Sequence, residues 1–389
     1  MRLYPLPIAL SLFLFALSTC LAAVFSINPS FSLRGDFARG ESLFTILTYI
    51  LLTLIFAFFI QSFQQAKSLI RALCISTTII CVYGIVEFLC LQSFGISPLQ
   101  HFRPPELRLQ PYISSTMGNP NFLGRFLVLV LPLFAAGAIM ATKSKYAALW
   151  AGGGILAFTT LVLTYSRASL FGIIVGGCTF AVLMRRNFFA FKKKLALLIG
   201  ASLLLIATIG LTSEALNGSS QQSFFNTVVS RTISAFDLKE GDGFATRVYT
   251  WRHSIPVILE RPWIGYGPDT GFDALKQVNF KKSVRFNQIA ILDHIHNNYL
   301  DIALTQGLIG LASYLAIVII FLRGMLKTIR SPDTHPEVRI LLCGLFSGFA
   351  GCCFNDIFTF STVSVSITFW SLIGVGYAVQ SFQQGSQQA

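Results

Sequence analysis

The chain has 389 residues, 54% of them apolar and only 12% charged, whereas soluble domains carry about 25% charged residues. So few charges cannot cover a soluble surface, and apolar runs of about 20 residues match a bilayer core crossed as a helix, with none of the alternation of a membrane barrel. The net charge of +13 calls for no nucleic acid, because about half of the cations are loop anchors beside apolar runs, attracted to anionic lipid.

Backbone exposed to lipid must satisfy its own hydrogen bonds, so the spans are expected to be helices. In chain order they cover 6–27, 41–60, 72–92, 121–141, 146–165, 168–184, 195–212, 298–322, 338–356 and 360–379. Met1 to Ala23 has signal-peptide traits, namely Arg2, an apolar stretch and small residues after it, but it is counted here as the first span. The expected fold is all-α, a polytopic membrane helix bundle with about ten spans and one large external loop containing short helices. Residues 1–212 form the first seven membrane helices, 213–297 the external loop, 298–380 the last three helices, and 381–389 a tail.

Lys and Arg set the orientation. With the N-terminus in the cytoplasm, inside loops hold Arg2, Lys67, Arg71, Lys143, Lys145, Arg185, Arg186, Lys192, Lys193, Lys194, Arg323, Lys327, Arg330 and Arg339. Short outside segments hold only Arg34, Arg39, Arg103, Arg108, Arg125 and Arg167. Both termini are therefore expected to be cytoplasmic. The eight cysteines all lie in or beside spans, with neither a disulfide framework nor zinc spacing.

The external loop opens with the polar stretch "NGSSQQSFFN" at 217–226. In "FATRVYTWRHSIPVILERP" (244–262), Val248, Trp251, Ile255, Ile258 and Leu259 recur at helical spacing, which predicts a helix lying along the outer membrane surface, kinked at Pro256. "IGYGPDTGF" (264–272) reads as turns. No strand precedes it and Pro268 interrupts it, so it is a poor nucleotide-binding glycine fingerprint.

The polar residues within or against the spans share one side. Glu87, Arg125, Arg167, Asp301, Asn355 and Asp356 all fall at outer ends, with His294 and His296 just before Asp301. Ionisable groups in a membrane are costly and tend to mark function, although any one of them is as readily a snorkelling end-cap. As a set they are expected to meet in one outward-facing pocket. Arginine offers a permanent planar cation suited to phosphate oxygens, and a neutral histidine can take a proton from a hydroxyl. That pairing suits attack by a hydroxyl on a substrate activated by a lipid-linked diphosphate. "HIH" with Asp293 offers metal ligands but no fourth at convincing spacing, so no metal is expected. Asn297 or Asn298 caps a helix, and His294 reads equally as local structure.

Four passages together resemble the O-antigen ligase and polymerase-like membrane proteins. They are "STMGNPNFLGRFLVLVLPL" (115–133), "LVLTYSRASLFGIIVG" (161–176), "TRVYTWRHSIPVILERPWIGYGPDTGF" (246–272) and "HIHNNYLDIALTQGLIGLASYL" (294–315). The resemblance implies a polyprenol-dependent glycosyltransferase of the bacterial inner membrane. It would move a glycan from undecaprenyl diphosphate to an acceptor hydroxyl, lipid A–core in ligases and another repeat unit in polymerases, with inversion and without metal or other cofactor. It assigns the essential histidine to His296 and the phosphate-binding arginines to Arg167 and Arg247. Asp356 matches the acidic residue of the penultimate span. Arg125 stands where relatives often have a small residue, and it joins Glu87 as a further expected substrate contact. Alternatives are a polysaccharide polymerase, a small-solute or inorganic-carbon transporter, and a non-catalytic scaffold.

Overall fold

The structure is a computed structural model that describes residues 6–35, 40–94, 113–185, 200–212, 243–276 and 294–385. Among the described residues there are helices and turns but no strand. The helices are α1 (Leu6–Val24), α2 (Pro29–Arg34), α3 (Leu43–Phe59), α4 (Phe63–Phe94), α5 (Pro120–Met140), α6 (Ser144–Leu163), α7 (Arg167–Leu183), α8 (Gly200–Thr212), α9 (Gly243–Glu260), α10 (Gly271–Ala274), α11 (Asn298–Arg330), α12 (Pro336–Asn355) and α13 (Val363–Gly385). A helix stands at every expected span. The helices α1, α4, α5, α6, α11, α12 and α13 are long and apolar enough to cross a membrane, while α3, α7 and α8 are apolar but shorter. The chain is a multi-pass membrane protein. The polar stretch 217–226 and Asp293 lie outside the described residues.

Local sequence explains the helix boundaries. Ser42 caps α3 by accepting the Thr45 N–H, and Asn119 caps α5 by accepting the Asn121 N–H, with Pro120 at its first position. Thr164 closes α6, Tyr165 takes a left-handed φ of 53°, and α7 opens at Arg167. The turn in "LTYSRASLFG" between these helices is therefore three residues long and presents Arg167 on the first turn of a helix. The α4 helix begins nine residues before the expected span, at Phe63, so Lys67 and Arg71 are helical rather than loop residues. Lys67 pairs with Glu337 at 2.8 Å.

The chain divides into two compact units, one made of α1–α3, α9–α11 and α13, the other of α4–α8 and α12. In the second unit α12 packs on α5 and α7. Small residues permit this close approach: a Cβ on Gly172 would stand 3.0 Å from the Gly351 carbonyl oxygen, and one on Gly176 2.9 Å from that of Ser347. Such small-residue contacts replace the hydrophobic drive that helices lack in lipid. In the first unit α13 packs on α3, and α1 on α11. Aromatic rings fill that core: Trp370 stacks with Phe15 and Tyr49 at 5.7 and 6.4 Å, and Tyr314 meets it edge-on.

The α11 helix departs from expectation. An unbroken span was predicted over 298–322, but Gly307 adopts φ 72° and ψ −179° and breaks the helix. A break within a membrane span exposes backbone groups that lipid cannot satisfy, and here the segment between α9 and α10 satisfies them. Tyr266 and Gly267 donate their N–H groups to the Leu304 and Thr305 carbonyls, both at 2.9 Å, and Leu308 donates to the Pro262 carbonyl at 2.7 Å. The approach demands glycine on both sides. A Cβ on Gly265 would stand 2.6 Å from the Leu304 oxygen, and one on Gly307 would overlap the Trp263 carbonyl. The "GYG" of the loop and the "GLIG" of the span thus form one interlocked element.

The helix expected in the segment between α8 and α11 is present as α9, and most of its apolar stripe faces away from the rest of the unit. Ile258 is buried with Thr250 and Ser254, and Trp251 is half-buried, whereas Val248, Ile255, Leu259 and the following Trp263 are exposed. The inward side is anchored by a small core of Ile258, Tyr266, Leu275, Ile295, Ala303 and Leu304.

Candidate active site

The first unit gathers its polar residues at the start of α11. Asn297 caps the helix, its side-chain oxygen accepting the N–H groups of Tyr299 and Leu300, both at 3.1 Å. Asn298 ties this helix start to the turn after α12. Its N–H donates to the Asp356 carbonyl at 2.8 Å, its amide donates to the Asp356 carboxylate at 3.3 Å, and its side-chain oxygen accepts the Ser361 N–H at 3.1 Å. Asp356 is fully buried.

His296 sits between these anchors and the preceding residues. It is half-buried and holds a left-handed φ of 56°, a conformation uncommon outside glycine and costly by about 1–2 kcal/mol. Its ring meets Phe360 edge-on at 5.2 Å. His294, two residues earlier, is buried and stacked on the same Phe360 at 4.0 Å. Its Nδ1 lies 2.8 Å from Asp301 Oδ2, so the carboxylate accepts the Nδ1–H and sets the tautomer of the ring. The carbonyl of Ile295, between the two histidines, accepts the Trp251 indole N–H at 3.1 Å.

Arg247 lies one helical turn before Trp251 on α9 and is half-buried. The position of α9 is fixed through Tyr266, whose hydroxyl donates to Glu260 at 3.0 Å and lies 3.1 Å from the Val257 carbonyl oxygen. Burial, then the hydrogen bond and charge of Glu260, push the Tyr266 phenol up to about 12, against an opposing pull from Arg261. This hydroxyl stays protonated and keeps donating through the physiological range.

The other expected residues belong to the second unit. Arg125 is among the largest fully buried side chains and lies within α5, rather than at a snorkelling end. Glu87 on α4 is fully buried and accepts the N–H groups of Ser114 and Ser115 at 3.1 and 2.9 Å. Around the start of α7, Ser166 donates to Asn121 at 2.9 Å and contacts Ser169 at 2.9 Å, and Asn355 donates to Ser169 at 3.1 Å. The Asn-Pro-Asn, Ser-Arg and Asn355 segments, more than 180 residues apart at the extremes, therefore share one polar network.

Of the six expected site residues, Arg247, His296 and Asp356 fall in the first unit and Glu87, Arg125 and Arg167 in the second. Sequence reasoning left the Asp301–His294 pair unassigned. The spacing of five residues between His296 and Asp301 gave no sign that the carboxylate would reach back past His296 to His294.

Residues 152–315, from within α6 to the middle of α11, match a family model described as O-Antigen ligase. A protein of Haemophilus influenzae described as uncharacterized is 24% identical over 191 residues, which is 49% of this chain and 47% of that protein. The chain thus spans about half the length of this relative. The matched segment contains Arg167, Arg247 and His296 together with the interlocked glycine motifs, and over this segment the multi-pass chain is similar to the O-antigen ligases.

Proposed function

We propose that the protein is an inner-membrane glycosyltransferase that moves a glycan from undecaprenyl diphosphate to an acceptor hydroxyl on the outer side. The observation that carries this reading is His296. Its imidazole stands half-exposed at the capped start of α11, in a strained backbone held from both flanks. Strain of this kind persists where the surroundings over-determine it, which is common at reactive sites. His296 takes the proton of the acceptor hydroxyl, whose oxygen then attacks the anomeric carbon. The bond from that carbon to the diphosphate breaks, and the electron pair leaves with undecaprenyl diphosphate. Arg247 meets the charge that develops on the leaving group, where fixed cations act most strongly with water excluded. One in-line displacement inverts the anomeric centre. Arg167, Arg125, Glu87 and Asp356 are proposed as further substrate contacts. Metal and nucleotide play no part in this scheme.

The test is transfer by purified protein in liposomes from an undecaprenyl-diphosphate-linked glycan. Lipid A–core in one arm and a second lipid-linked repeat unit in the other separate ligase from polymerase. Arg247→Ala is expected to lower kcat/KM by about 10²–10³-fold. Arg247→Lys recovers only part of that, because lysine lacks the guanidinium fork. Wild-type rates in Arg247→Ala would remove the residue from the mechanism.

A broken span is also a feature of transporters, where freed carbonyls coordinate ions near the midplane. Here the Leu304 and Thr305 carbonyls accept N–H groups from the external loop, so that interlock gives no support to a carrier.

In this reading α9 lies on the outer lipid–water boundary, and the exposed Val248, Ile255, Leu259 and Trp263 side chains support it. Trp263→Phe should then reduce fluorescence quenching by lipids brominated near the headgroup. Unchanged quenching would put this helix in water.

A further inference from the structure

We propose that the Asp301–His294 pair is a positioning device for His296, an inference that rests on the glycosyl-transfer reading above. Three features point to it.

The first is the cost of the pair itself. His294 and Asp301 have side chains only 5% and 11% exposed. Burying an imidazole against a carboxylate is an expensive way to fill space, since hydrophobic residues of similar volume serve stability as well or better. A residue kept for packing alone would be apolar at position 294.

The second is the direction of the contacts. Asp301 lies on the first turn of α11 and reaches back over His296 to hold His294, at 2.8 Å from Nδ1. Its other oxygen faces the Ile295 N–H at 3.5 Å. The segment therefore closes a small loop, 294 to 301, with His296 inside it. Trp251 holds the Ile295 carbonyl, and Asn297 and Asn298 are fixed by the helix cap and by Asp356. Every residue flanking His296 is tied to something else.

The third is Phe360. One face of this ring stacks on His294 at 4.0 Å with 13° between planes, and the same ring meets His296 at 5.2 Å and 62°. With the His294 ring oriented by Asp301, Phe360 has a fixed wall, and the His296 imidazole has a fixed surface to lean on. A left-handed backbone alone would leave χ1 and χ2 of His296 open. The Asp301–His294–Phe360 stack restricts them.

His294 is thus a positioning residue, acting through Phe360 and the loop backbone, with His296 as the group that touches substrate. Displacement of a reacting group by about 1 Å costs on the order of 10²-fold in rate.

The experiment has two arms, both on the full chain in nanodiscs. The first needs no substrate: diethyl pyrocarbonate labelling read by mass spectrometry. In the wild type His296 should label readily and His294 slowly. In Asp301→Ala, His294 labelling should rise and the His296 rate should change severalfold. An unchanged His296 rate would overturn the proposal, whatever the protein transfers. The second arm is kinetic. His294→Phe keeps the stack but loses the Nδ1–H, and it should lower kcat by about 10–100-fold with donor KM within about twofold. Asp301→Ala should do the same, and Asp301→Glu should recover part of the loss. A purely structural role would lower thermal stability without this split between kcat and KM. Wild-type kcat in both His294→Phe and Asp301→Ala would end the positioning role while leaving glycosyl transfer intact. The transfer reading is judged separately, by the wild-type protein and His296→Ala.

Discussion

Replacing His296 by asparagine is expected to abolish transfer, by about 10²–10⁴-fold, while leaving the fold unchanged. The choice of asparagine separates two roles. His296 holds φ 56°, a conformation that asparagine tolerates better than most side chains. The Asn297 cap, the Trp251 bond to Ile295 and the Asp301–His294 contact do not use the His296 side chain. So the loop should keep its shape, while the proton acceptor and the ring contact with Phe360 are lost. His296→Gly extends the argument. It removes the left-handed strain, so its unfolding temperature should equal or exceed that of the wild type, and it should be equally inactive. Stability rising as activity vanishes is the pattern of a strained reactive residue. The measurement is initial transfer rate beside thermal unfolding of the same preparations. Transfer within tenfold of wild type in His296→Asn would exclude His296 as the base.

Gly307→Ala is expected to cost about 2–6 kcal/mol. Two terms add. At φ 72° and ψ −179° the backbone lies in a region essentially confined to glycine, worth about 1–3 kcal/mol. The new Cβ would also overlap the Trp263 carbonyl, and overpacking against backbone costs about 1–3 kcal/mol more. The loop must retreat, and the hydrogen bonds from Tyr266 to Leu304 and from Gly267 to Thr305 are lost with it. Buried carbonyls left without partners raise the cost further. Because this loop carries α9, transfer should fall too. Gly177→Ala is the control: a Cβ there meets nothing within 4 Å, and alanine is the better helix former, so its effect should be neutral or slightly stabilising. Equal unfolding temperatures for the two variants would contradict the interlock.

Much of this architecture was legible in the sequence because its cause is local. A helix in lipid needs only an apolar run of sufficient length, and every expected span has a helix. Caps were legible for the same reason. Asn297, one of the two residues expected to cap α11, does what asparagine does at helix starts. The similarity to the O-antigen ligase family model was legible because its motifs are contiguous strings. Helical periodicity placed α9 and its apolar stripe, but it did not show which side packs against the rest of the unit: Thr250 and Ser254 are buried while Ile255 and Leu259 are exposed. In a membrane protein hydrophobicity by itself does not mark the interior, because lipid accepts an apolar face as readily as a core does.

The sequence by itself determined the helical character, the order of the helices and the polar clusters near their ends. Tertiary structure alone decided that Gly307 breaks its span, that "GYG" fills the gap, and that Asp301 reaches His294. Those outcomes depend on pairings across the chain, such as Tyr266 with Leu304 and Asn298 with Asp356. Local patterns report what each segment prefers, but a backbone group buried in lipid takes whichever partner the fold brings to it.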